Sequence, residues 1–324
     1  MLKKRKLGRT GLEVSELALG GLFISSLGAD RDTADKIIRR AWELGINYID
    51  TAPGYLDSES VLGETLSKID ADFIISTKIG YKPEPFEPQN KEFLQNALKQ
   101  SFKNLKRDSV DILMIHEPDR HDDENFMDWW TDKEKYEGPV MDVLKEARDQ
   151  GKAKFLGLGG TTAYEMPRVM NTGNFDAVLT AFQYNLIWRE AEHGVLPIAA
   201  SQDMGVICGS PLHQGTLAAV YENDVIKNPV SWLSPPRQKQ FVRLYSLVKD
   251  LKMTMPELAT RFLLSNPQVS TVLSGVRNVA ELESNVESAL KGPLAADVIT
   301  EINDIAAMLP FRPYLEPLAP PFKS

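Results

Sequence analysis

The sequence predicts a (β/α)8 barrel of the TIM type that is preceded by an N-terminal β-hairpin. Eight apolar, β-prone runs alternate with helix-like segments after the hairpin, and this alternation is typical of a parallel sheet. The eight units fill a chain of 324 residues without a linker-like break, which favours one closed barrel domain over 1–324 rather than an open doubly wound sheet. Three of the apolar runs lead into a titratable residue, which indicates that one face of the barrel carries the functional groups.

The elements follow one another in a regular order. Residues 3–7 and 13–14 flank the turn sequence Gly8-Arg9-Thr10-Gly11 and predict the hairpin. Short apolar runs predict the eight strands at 17–21, 48–50, 73–77, 110–115, 154–158, 177–182, 206–208 and 271–273. Amphipathic spacing, with glycine stops such as Gly45 and Gly151, predicts helices at 32–44, 59–68, 92–105, 140–150, 163–170, 195–203, 256–264 and 280–290. A further helix is predicted at about 237–251.

Three longer segments do not fit this repeat: 119–139, 212–236 and the tail from 309. They contain several aromatic side chains, among them Trp129, Trp130 and Trp232. Long loops in a compact domain are usually functional, and all three can reach the carboxyl ends of the strands, so they are expected to form the wall of a binding pocket. The alternative is surface decoration that a few aromatic residues anchor.

Composition narrows the classes of partner. A formal net charge of -8 argues against nucleic acid and against anionic membranes, which both favour clustered Lys and Arg. No apolar run reaches the length of a membrane span, and no apolar segment of a signal peptide follows the basic N-terminus. The single cysteine, Cys208, cannot form an internal disulfide and fits a reducing compartment. We therefore expect a cytoplasmic protein with a small-molecule ligand, of unspecified oligomeric state.

Four titratable residues are expected to meet at the carboxyl face of the barrel. Asp50 ends the second strand, and Tyr55 follows five residues later in a Pro-Gly turn. Lys78 and His116 follow the third and fourth strands. Each residue also has a structural interpretation: a buried Asp–Lys ion pair, a turn tyrosine and a strand-end histidine.

These residues stand in motifs that together resemble the aldo-keto reductase family over essentially the whole chain. The motifs are Gly45-Ile46-Asn47-Tyr48-Ile49-Asp50-Thr51-Ala52 with Tyr55, Ser58-Glu59-Ser60-Val61-Leu62-Gly63, Ser76-Thr77-Lys78, Asp111-Ile112-Leu113-Met114-Ile115-His116-Glu117-Pro118-Asp119, Gln183-Tyr184-Asn185, Ser210-Pro211-Leu212, and Gly275 with Asn285. The resemblance implies a barrel with a nicotinamide dinucleotide, NAD or NADP, across its carboxyl face. No strand is followed by the glycine-rich turn of a Rossmann fold.

The resemblance implies that Asp50, Tyr55, Lys78 and His116 are catalytic. The cofactor exchanges a hydride with a small carbonyl or sugar substrate, and Tyr55 is the acid/base. Lys78, held by Asp50, is expected to lower the Tyr55 pKa from about 10. His116 would orient the substrate oxygen or relay a proton. Phe23, Tyr55, His116, Trp129 and Trp130 are the expected substrate contacts.

The resemblance also assigns the cofactor contacts. Gly21, Leu22 and Asp50 are expected near the nicotinamide, with Thr161 and Gln183 on its carboxamide. Ser210, Pro211, Leu212 and Gly215 are expected along the diphosphate, and Gly275, Arg277, Glu281 and Asn285 around the adenosine. Two departures stand out: Gly159-Gly160-Thr161 replaces the usual Ser-Asn, and Gly209 replaces the aromatic residue that often stacks on the nicotinamide. With the early Gly21-Leu22-Phe23, the glycine-rich end of the fifth strand resembles the aldose or L-galactose dehydrogenase-like branch of the family.

Glu281 decides the expected choice of dinucleotide. A carboxylate there would repel a 2′-phosphate and bind a free 2′-hydroxyl, which favours NAD slightly. Alternatively, Asn278 and Glu281 have the spacing of a capping box, which would leave Arg277 for the phosphate of NADP.

Two other functions compete with the oxidoreductase, and one segment has a second interpretation as a metal site. The same fold serves in the β-subunits of potassium channels, so a dinucleotide-binding regulatory subunit is the main alternative. A glycoside hydrolase would require a second converging carboxylate, and no obvious candidate ends a strand. The segment 116–123 is rich in His and carboxylates, but Pro118 and the spacing do not match a metal motif, so no metal is expected and its acidic residues are interpreted as a solvated loop.

Overall fold

The computed structural model describes residues 1–120, 128–313, 316–317 and 322. Eight parallel strands close into a barrel because the last strand pairs with both the first and the seventh. The barrel strands are β3 (Leu17–Gly20), β4 (Tyr48–Asp50), β5 (Ile74–Ile79), β6 (Val110–His116), β7 (Ala153–Gly160), β8 (Ala177–Ala181), β9 (Gly205–Gly209) and β10 (Thr271–Ser274). The (β/α)8 prediction is confirmed, and so is the hairpin, which consists of β1 (Lys4–Lys6) and β2 (Glu13–Ser15).

Helices connect the strands and cover the outside of the barrel. In the described residues they are α1 (Arg31–Glu43), α2 (Ser58–Leu66), α3 (Lys91–Leu105), α4 (Pro139–Asp149), α5 (Met166–Met170), α6 (Val195–Ser201), α7 (Pro235–Leu251), α8 (Met255–Ser265), α9 (Val279–Leu290) and α10 (Ala296–Ala307). The helix α10 was not predicted, because it lies beyond the eighth unit of the repeat. None of the helices in the described ranges is both long and apolar enough to cross a membrane.

The helices begin where the sequence supplies a cap. Asp30, Asn90, Ser234, Thr254 and Asn278 each accept a hydrogen bond from a backbone N–H in the first turn of the helix that follows. In α1, the buried residues Ala34, Ile37, Ile38 and Ala41 repeat at helical spacing and pack against the barrel.

Alternation along each strand separates the interior of the barrel from the layer beneath the helices. Tyr48, Ile112, Met114, Leu179, Ile207 and Leu273 belong to the interior cluster. Ile49, Ile75, Leu113 and Ile115 belong to the cluster shared with the helices. Since side chains alternate along a strand, Asp50 follows Tyr48 inward and His116 follows Met114 inward. The alternation along the strands thus places the side chains of Asp50 and His116 in the mouth of the barrel.

The hairpin closes the opposite, amino end of the barrel. Its buried residues Leu7 and Val14 pack in the interior cluster. Asn47, just before β4, accepts a hydrogen bond from the backbone N–H of Ser15. Gly8 has φ +48°, and a Cβ there would lie 2.3 Å from the backbone N of Gly205, so this contact requires glycine.

Candidate active site

Asp50 and Lys78 form a buried ion pair at the carboxyl ends of β4 and β5. The Asp50 Oδ2 and Lys78 Nζ atoms are 2.6 Å apart, and the two side chains are 2% and 1% exposed. Ser76 Oγ donates to Asp50 Oδ1 at 2.7 Å, and Lys78 Nζ donates to the Thr51 carbonyl at 2.8 Å. A charged pair can be buried only when such additional hydrogen bonds satisfy it. The ammonium of Lys78 is therefore held in one position.

Tyr55 and His116 complete the predicted group of four. Tyr55 is half-buried in the turn after β4, where its backbone N–H donates to the Ala52 carbonyl. The Lys78 Nζ atom lies 4.8 Å from the centroid of the Tyr55 ring. The rings of Tyr55 and His116 meet edge to face, with centroids 5.5 Å apart. The structure thus brings all four predicted residues together.

The pKa of Tyr55 is raised well above its usual value, so the prediction of a lowered pKa is wrong. Burial of the phenol is the main cause, and the carboxylates of Asp50 and Glu117 add to it. The nearby Lys78 does not outweigh these effects on the Tyr55 pKa. Tyr55 is therefore a neutral phenol that can donate a proton.

His116 is neutral for a related reason. Burial is the main cause that lowers the pKa of His116 well below its usual value, and the cations Lys78 and Arg120 lower it further. The Nδ1 atom of His116 is buried and has no hydrogen-bond partner among the described residues. A neutral imidazole beside Tyr55 can orient a polar ligand through a hydrogen bond, without adding a positive charge to the site.

Tyr81, Glu117 and Arg120 form a polar cluster next to His116 that the sequence reasoning missed. The Tyr81 ring meets the His116 ring edge to face with centroids 4.9 Å apart, and its hydroxyl donates to Glu117 Oε2 at 2.7 Å. Arg120 donates to the same oxygen at 3.3 Å. Tyr81 and Glu117 both have left-handed backbones, with φ +65° and +55°. Such strain often marks a functional site, and the position of Glu117 directly after His116 was the available signal.

Gly80 has no side chain, and this allows Trp129 to lie close to His116. Its φ is +152°, and a Cβ there would lie 2.7 Å from His116 Cβ and 3.2 Å from Trp129 Cη2. Trp129 therefore lies beside the predicted catalytic histidine. Trp130 packs instead against Tyr136, with ring centroids 5.4 Å apart.

Two predicted carboxamide contacts, Thr161 and Gln183, touch each other. Gln183 Nε2 donates to the Thr161 carbonyl at 2.5 Å. Thr161 Oγ1 is buried without a hydrogen-bond partner in the described part of the chain. Since buried hydroxyls normally have a partner, this atom fits a site that awaits a polar ligand.

The other predicted nicotinamide contacts adjoin the ion pair. The backbone N–H of Gly21 donates to the Asp50 carbonyl at 2.7 Å. A Cβ on Gly21 would lie 2.6 Å from that oxygen, so only glycine fits this close approach. Leu22 follows it and is half-buried.

The predicted diphosphate segment 210–215 has an unusual backbone. Ser210, His213 and Gln214 are left-handed, with φ +53°, +48° and +50°, and Gly215 has φ +104°. Turns of this kind point backbone N–H groups in one direction and are common where proteins bind anions. Pro211 is buried and Leu212 is half-buried beside them.

The predicted adenosine contacts gather around Phe23. A Cβ on Gly275 would lie 2.7 Å from Phe23 Cδ2, and the guanidinium of Arg277 lies 4.9 Å from the centroid of the Phe23 ring. Phe23, which the sequence assigned to the substrate, thus lies against two predicted cofactor residues. Asn285 Nδ2 donates to Ser274 Oγ at 2.9 Å and joins α9 to the end of β10.

Glu281 folds back on the start of α9 in a variant of the capping box. Its Oε2 accepts from the backbone N–H of Arg277 at 2.9 Å, and its Oε1 accepts from Asn278 Nδ2 at 3.2 Å. In return, Asn278 Oδ1 accepts from the backbone N–H of Glu281 at 2.8 Å.

Gly209, the departure at the end of β9, leaves little room for a side chain. A Cβ there would lie 3.1 Å from Leu179 Cδ2 and 3.3 Å from Ala181 Cβ. A larger side chain at this position would therefore have to displace residues of β8.

Asp119 corrects the interpretation of segment 116–123 as a solvated loop. It is buried, and its Oδ2 accepts from the backbone N–H groups of Thr161, at 2.8 Å, and Thr162. Burial raises the pKa of Asp119 to about 6 despite these hydrogen bonds. His121, Asp122 and Asp123 lie outside the described residues. Within the described ranges, no group of three His, Cys, Asp or Glu side chains is arranged to hold a metal ion.

Comparison with known proteins agrees with this fold. Residues 16–307 match the model of the Aldo/keto reductase family. L-galactose dehydrogenase of Arabidopsis thaliana is 28% identical over 88% of this chain and 87% of its own length. A putative voltage-gated potassium channel subunit beta of Schizosaccharomyces pombe is 26% identical over 95% of this chain and 94% of its own length. The holo structure of an aldo-keto reductase from Bacillus halodurans, 24% identical, superposes with a TM-score of 0.76 over 98% of this chain and 100% of that one.

Proposed function

Because the chain belongs to the aldo/keto reductase family, we propose that it is an NAD(P)-dependent oxidoreductase that acts on an aldose or a similar polyhydroxylated carbonyl compound, with Tyr55 as the general acid/base. The observation that carries this proposal is the convergence of Tyr55, His116 and the Asp50–Lys78 ion pair at the mouth of the barrel. A purely structural ion pair would not require the adjacent phenol and unpartnered imidazole nitrogen.

The residues around the ion pair fit a nicotinamide dinucleotide. Thr161 and Gln183 offer a buried hydroxyl and an amide for the carboxamide. In segment 210–215 the backbone N–H groups of His213 and Gly215 donate to the carbonyls of Ser210 and Leu212, so the N–H groups of Leu212 and Gln214 are the candidates for the diphosphate. The bound dinucleotide would supply or accept the hydride, and side chains of the protein would donate or accept the proton.

The four catalytic residues divide the remaining work. In reduction, Tyr55 donates its proton to the carbonyl oxygen as negative charge develops there. Lys78, fixed by Asp50, then lies beside the phenolate that remains and stabilises it. The neutral His116 donates its ring N–H to the same oxygen and orients it. In the oxidation of an alcohol, Tyr55 takes the proton back.

The polar cluster beside His116 supports a polyhydroxylated substrate. Glu117 is fixed by Tyr81 and Arg120 at the edge of the site, and its side chain is 17% exposed. A fixed carboxylate accepts hydrogen bonds from hydroxyl groups, which simple alkyl aldehydes lack. The similarity to a protein named L-galactose dehydrogenase agrees with this choice.

For the cofactor we propose a slight preference for NAD. Arg277 is the only cation in segment 274–285, where Glu281 and Glu283 add negative charge. The capping contacts engage both oxygens of Glu281, but they leave a carboxylate next to the backbone of Arg277. One cation beside that carboxylate is a weak match for a 2′-phosphate.

The test combines binding with turnover. Purified protein is titrated with NADH and NADPH by fluorescence and then assayed with aldoses and with alkyl aldehydes. We expect Tyr55→Phe to lower turnover by at least about 10²-fold with an unchanged dissociation constant for the dinucleotide, since only the transferable proton is lost. Tyr164→Phe makes the same chemical change at an exposed position and serves as the control. Wild-type turnover by Tyr55→Phe would remove Tyr55 from the mechanism.

The second candidate function is a dinucleotide-binding regulatory subunit. The similarity to a putative potassium channel subunit favours it. This candidate predicts tight dinucleotide binding without turnover of any aldose or aldehyde, and the same experiment separates it from the enzyme.

A further inference from the structure

A buried ion pair outside the four catalytic residues ties the tail of the chain to α7. Arg237 donates to Glu316 through Nε at 2.8 Å and through a terminal nitrogen at 3.1 Å. The side chains of Arg237 and Glu316 are 1% and 0% exposed. Two charges are removed from water only where their geometry is nearly ideal, so Glu316 occupies a well-defined position.

Glu316 also fixes the ring of Trp188. Trp188 Nε1 donates to Glu316 Oε1 at 2.5 Å. The guanidinium of Arg237 lies 4.9 Å from the centroid of the Trp188 ring, which is a cation–π contact. The ion pair therefore holds the indole both at its edge and at its face.

Trp188 in turn holds His213. The two rings are stacked, with centroids 3.7 Å apart and planes 8° apart. Asn185 reinforces this arrangement, because its Nδ2 lies 3.2 Å from His213 Nδ1 and its Oδ1 accepts from the backbone N–H of Trp188. His213 is completely buried between these groups and Phe182.

His213 lies inside the left-handed segment 210–215. Three of its non-glycine residues, Ser210, His213 and Gln214, have φ between +48° and +53°. Such conformations persist only where the surroundings hold them, and the stack on Trp188 is one of the contacts that hold the centre of this segment.

We propose that Glu316 is a positioning residue for the dinucleotide. It fixes Trp188, Trp188 fixes His213, and His213 keeps segment 210–215 in the conformation that contacts the diphosphate. The proposal rests on the proposed function, because it requires that this segment binds a dinucleotide. It assigns to the tail of the chain control over how long the dinucleotide stays bound.

The test uses the full-length chain with the dinucleotide that the wild type binds more tightly. We expect Glu316→Gln to raise its dissociation constant at least fivefold through faster dissociation in stopped-flow fluorescence. The single-turnover rate at saturating dinucleotide should stay within twofold of wild type, since the catalytic residues are untouched. A purely structural role would lower Tm without this split between affinity and chemistry.

Two further variants keep the test decisive. Glu257→Gln is the matched control: it removes a buried carboxylate that pairs with Lys291 at 2.7 Å and Arg261 at 3.0 Å, and it should leave the dissociation constant unchanged. Trp188→Leu removes the stack on His213 and should reproduce the loss of affinity for the dinucleotide. If Glu316→Gln does not fold, Trp188→Leu takes its place in the test.

Two outcomes would overturn the proposal. One is an unchanged dissociation constant in both Glu316→Gln and Trp188→Leu. The other is an equal loss of affinity in Glu257→Gln. If the wild type binds neither NADH nor NADPH, the proposed function itself fails, and the two failures are thereby distinguished.

Discussion

Lys78 joins the stability of the site to its chemistry. Its ammonium balances the charge of Asp50 at 2.6 Å and lies 4.8 Å from the centroid of the Tyr55 ring. Lys78 therefore contributes both to the stability of the fold and to the environment of Tyr55, and a change at Lys78 should affect stability and turnover together.

We expect Lys78→Met to abolish turnover and to lower the free energy of unfolding by about 3–5 kcal/mol, because it leaves a buried carboxylate unpaired. The double variant Asp50→Asn/Lys78→Met is the control, since it removes both charges. Denaturant unfolding should show that it recovers most of the stability but none of the activity. Wild-type stability of the single variant would contradict the buried pairing seen here.

Single residues also show where sequence reasoning ends. Asp50, Lys78 and His116 were predictable because strand ends of a parallel barrel meet at one face. The raised pKa of Tyr55 was not, because it depends on how deeply the phenol is buried. The cluster of Tyr81 with Glu117 was missed since its hydrogen bond joins loops 36 positions apart in the chain.

At the scale of an element, α9 combines a structural cap with a proposed contact to the dinucleotide. Glu281 caps the helix and lies beside Arg277, whose guanidinium packs on Phe23. The cap expected from the sequence is present in part: Asn278 caps the helix, but Glu281 accepts from the backbone N–H of Arg277, one residue before the N-cap. The effect of the Glu281 charge on dinucleotide binding stays a prediction.

The ratio of kcat/KM for NADH and NADPH tests that role. We expect the wild type to favour NADH and Glu281→Gln to move the ratio several-fold toward NADPH, since the amide keeps an oxygen for the cap but loses the charge. Glu283→Gln is the control, because Glu283 pairs with Arg40 instead. A wild-type preference for NADPH that Glu281→Gln leaves unaltered would reduce Glu281 to a cap.

Loops and late helices were the least predictable elements. The aromatic residues of segment 119–139 suggested a pocket wall, but only contacts could separate Trp129, beside His116, from Trp130, which packs on Tyr136. The helix α10 has no place in an eight-unit count, although Gln240 of α7 donates to the carbonyls of Ile305 and Ala306 at its end.

The stability of the whole molecule should respond to the protonation of Asp119. Burial raises its pKa from 3.8 to about 6, so the folded state binds this proton more tightly than the unfolded state. The stabilisation is complete below the unfolded pKa and is lost as pH rises through the folded pKa. At 1.36 kcal/mol per pKa unit, the loss between pH 4 and 7 is on the order of 3 kcal/mol.

Unfolding of Asp119→Asn, measured from pH 4 to 7, checks this expectation. The stability of the variant relative to wild type should rise with pH over that window, because the amide cannot ionise. Asp304→Asn, the same change at an exposed position on α10, controls for the loss of negative charge. A difference between variant and wild type that stays constant with pH would mean that Asp119 titrates normally in the folded protein.

The overall fold was predictable because the repeat is complete. Apolar runs and amphipathic spacing can be read locally in the sequence. Eight predicted strands that alternate with eight predicted helices are compatible with few folds other than a closed parallel barrel. The anchoring of the tail by Glu316 and Phe322 was not predictable, because Arg237 and Trp232, their partners, are far away in the sequence.

The hairpin has a practical consequence for handling the protein. It lies at the amino end of the barrel, so a purification tag or a surface tether attached at Met1 would face away from the mouth of the barrel. A fusion at the other terminus would begin close to Phe322, which packs against Tyr221, and the Tyr221 hydroxyl donates to the carbonyl of Gly215 in segment 210–215. Immobilisation through the amino terminus should therefore preserve access for ligands better than immobilisation through the carboxyl terminus.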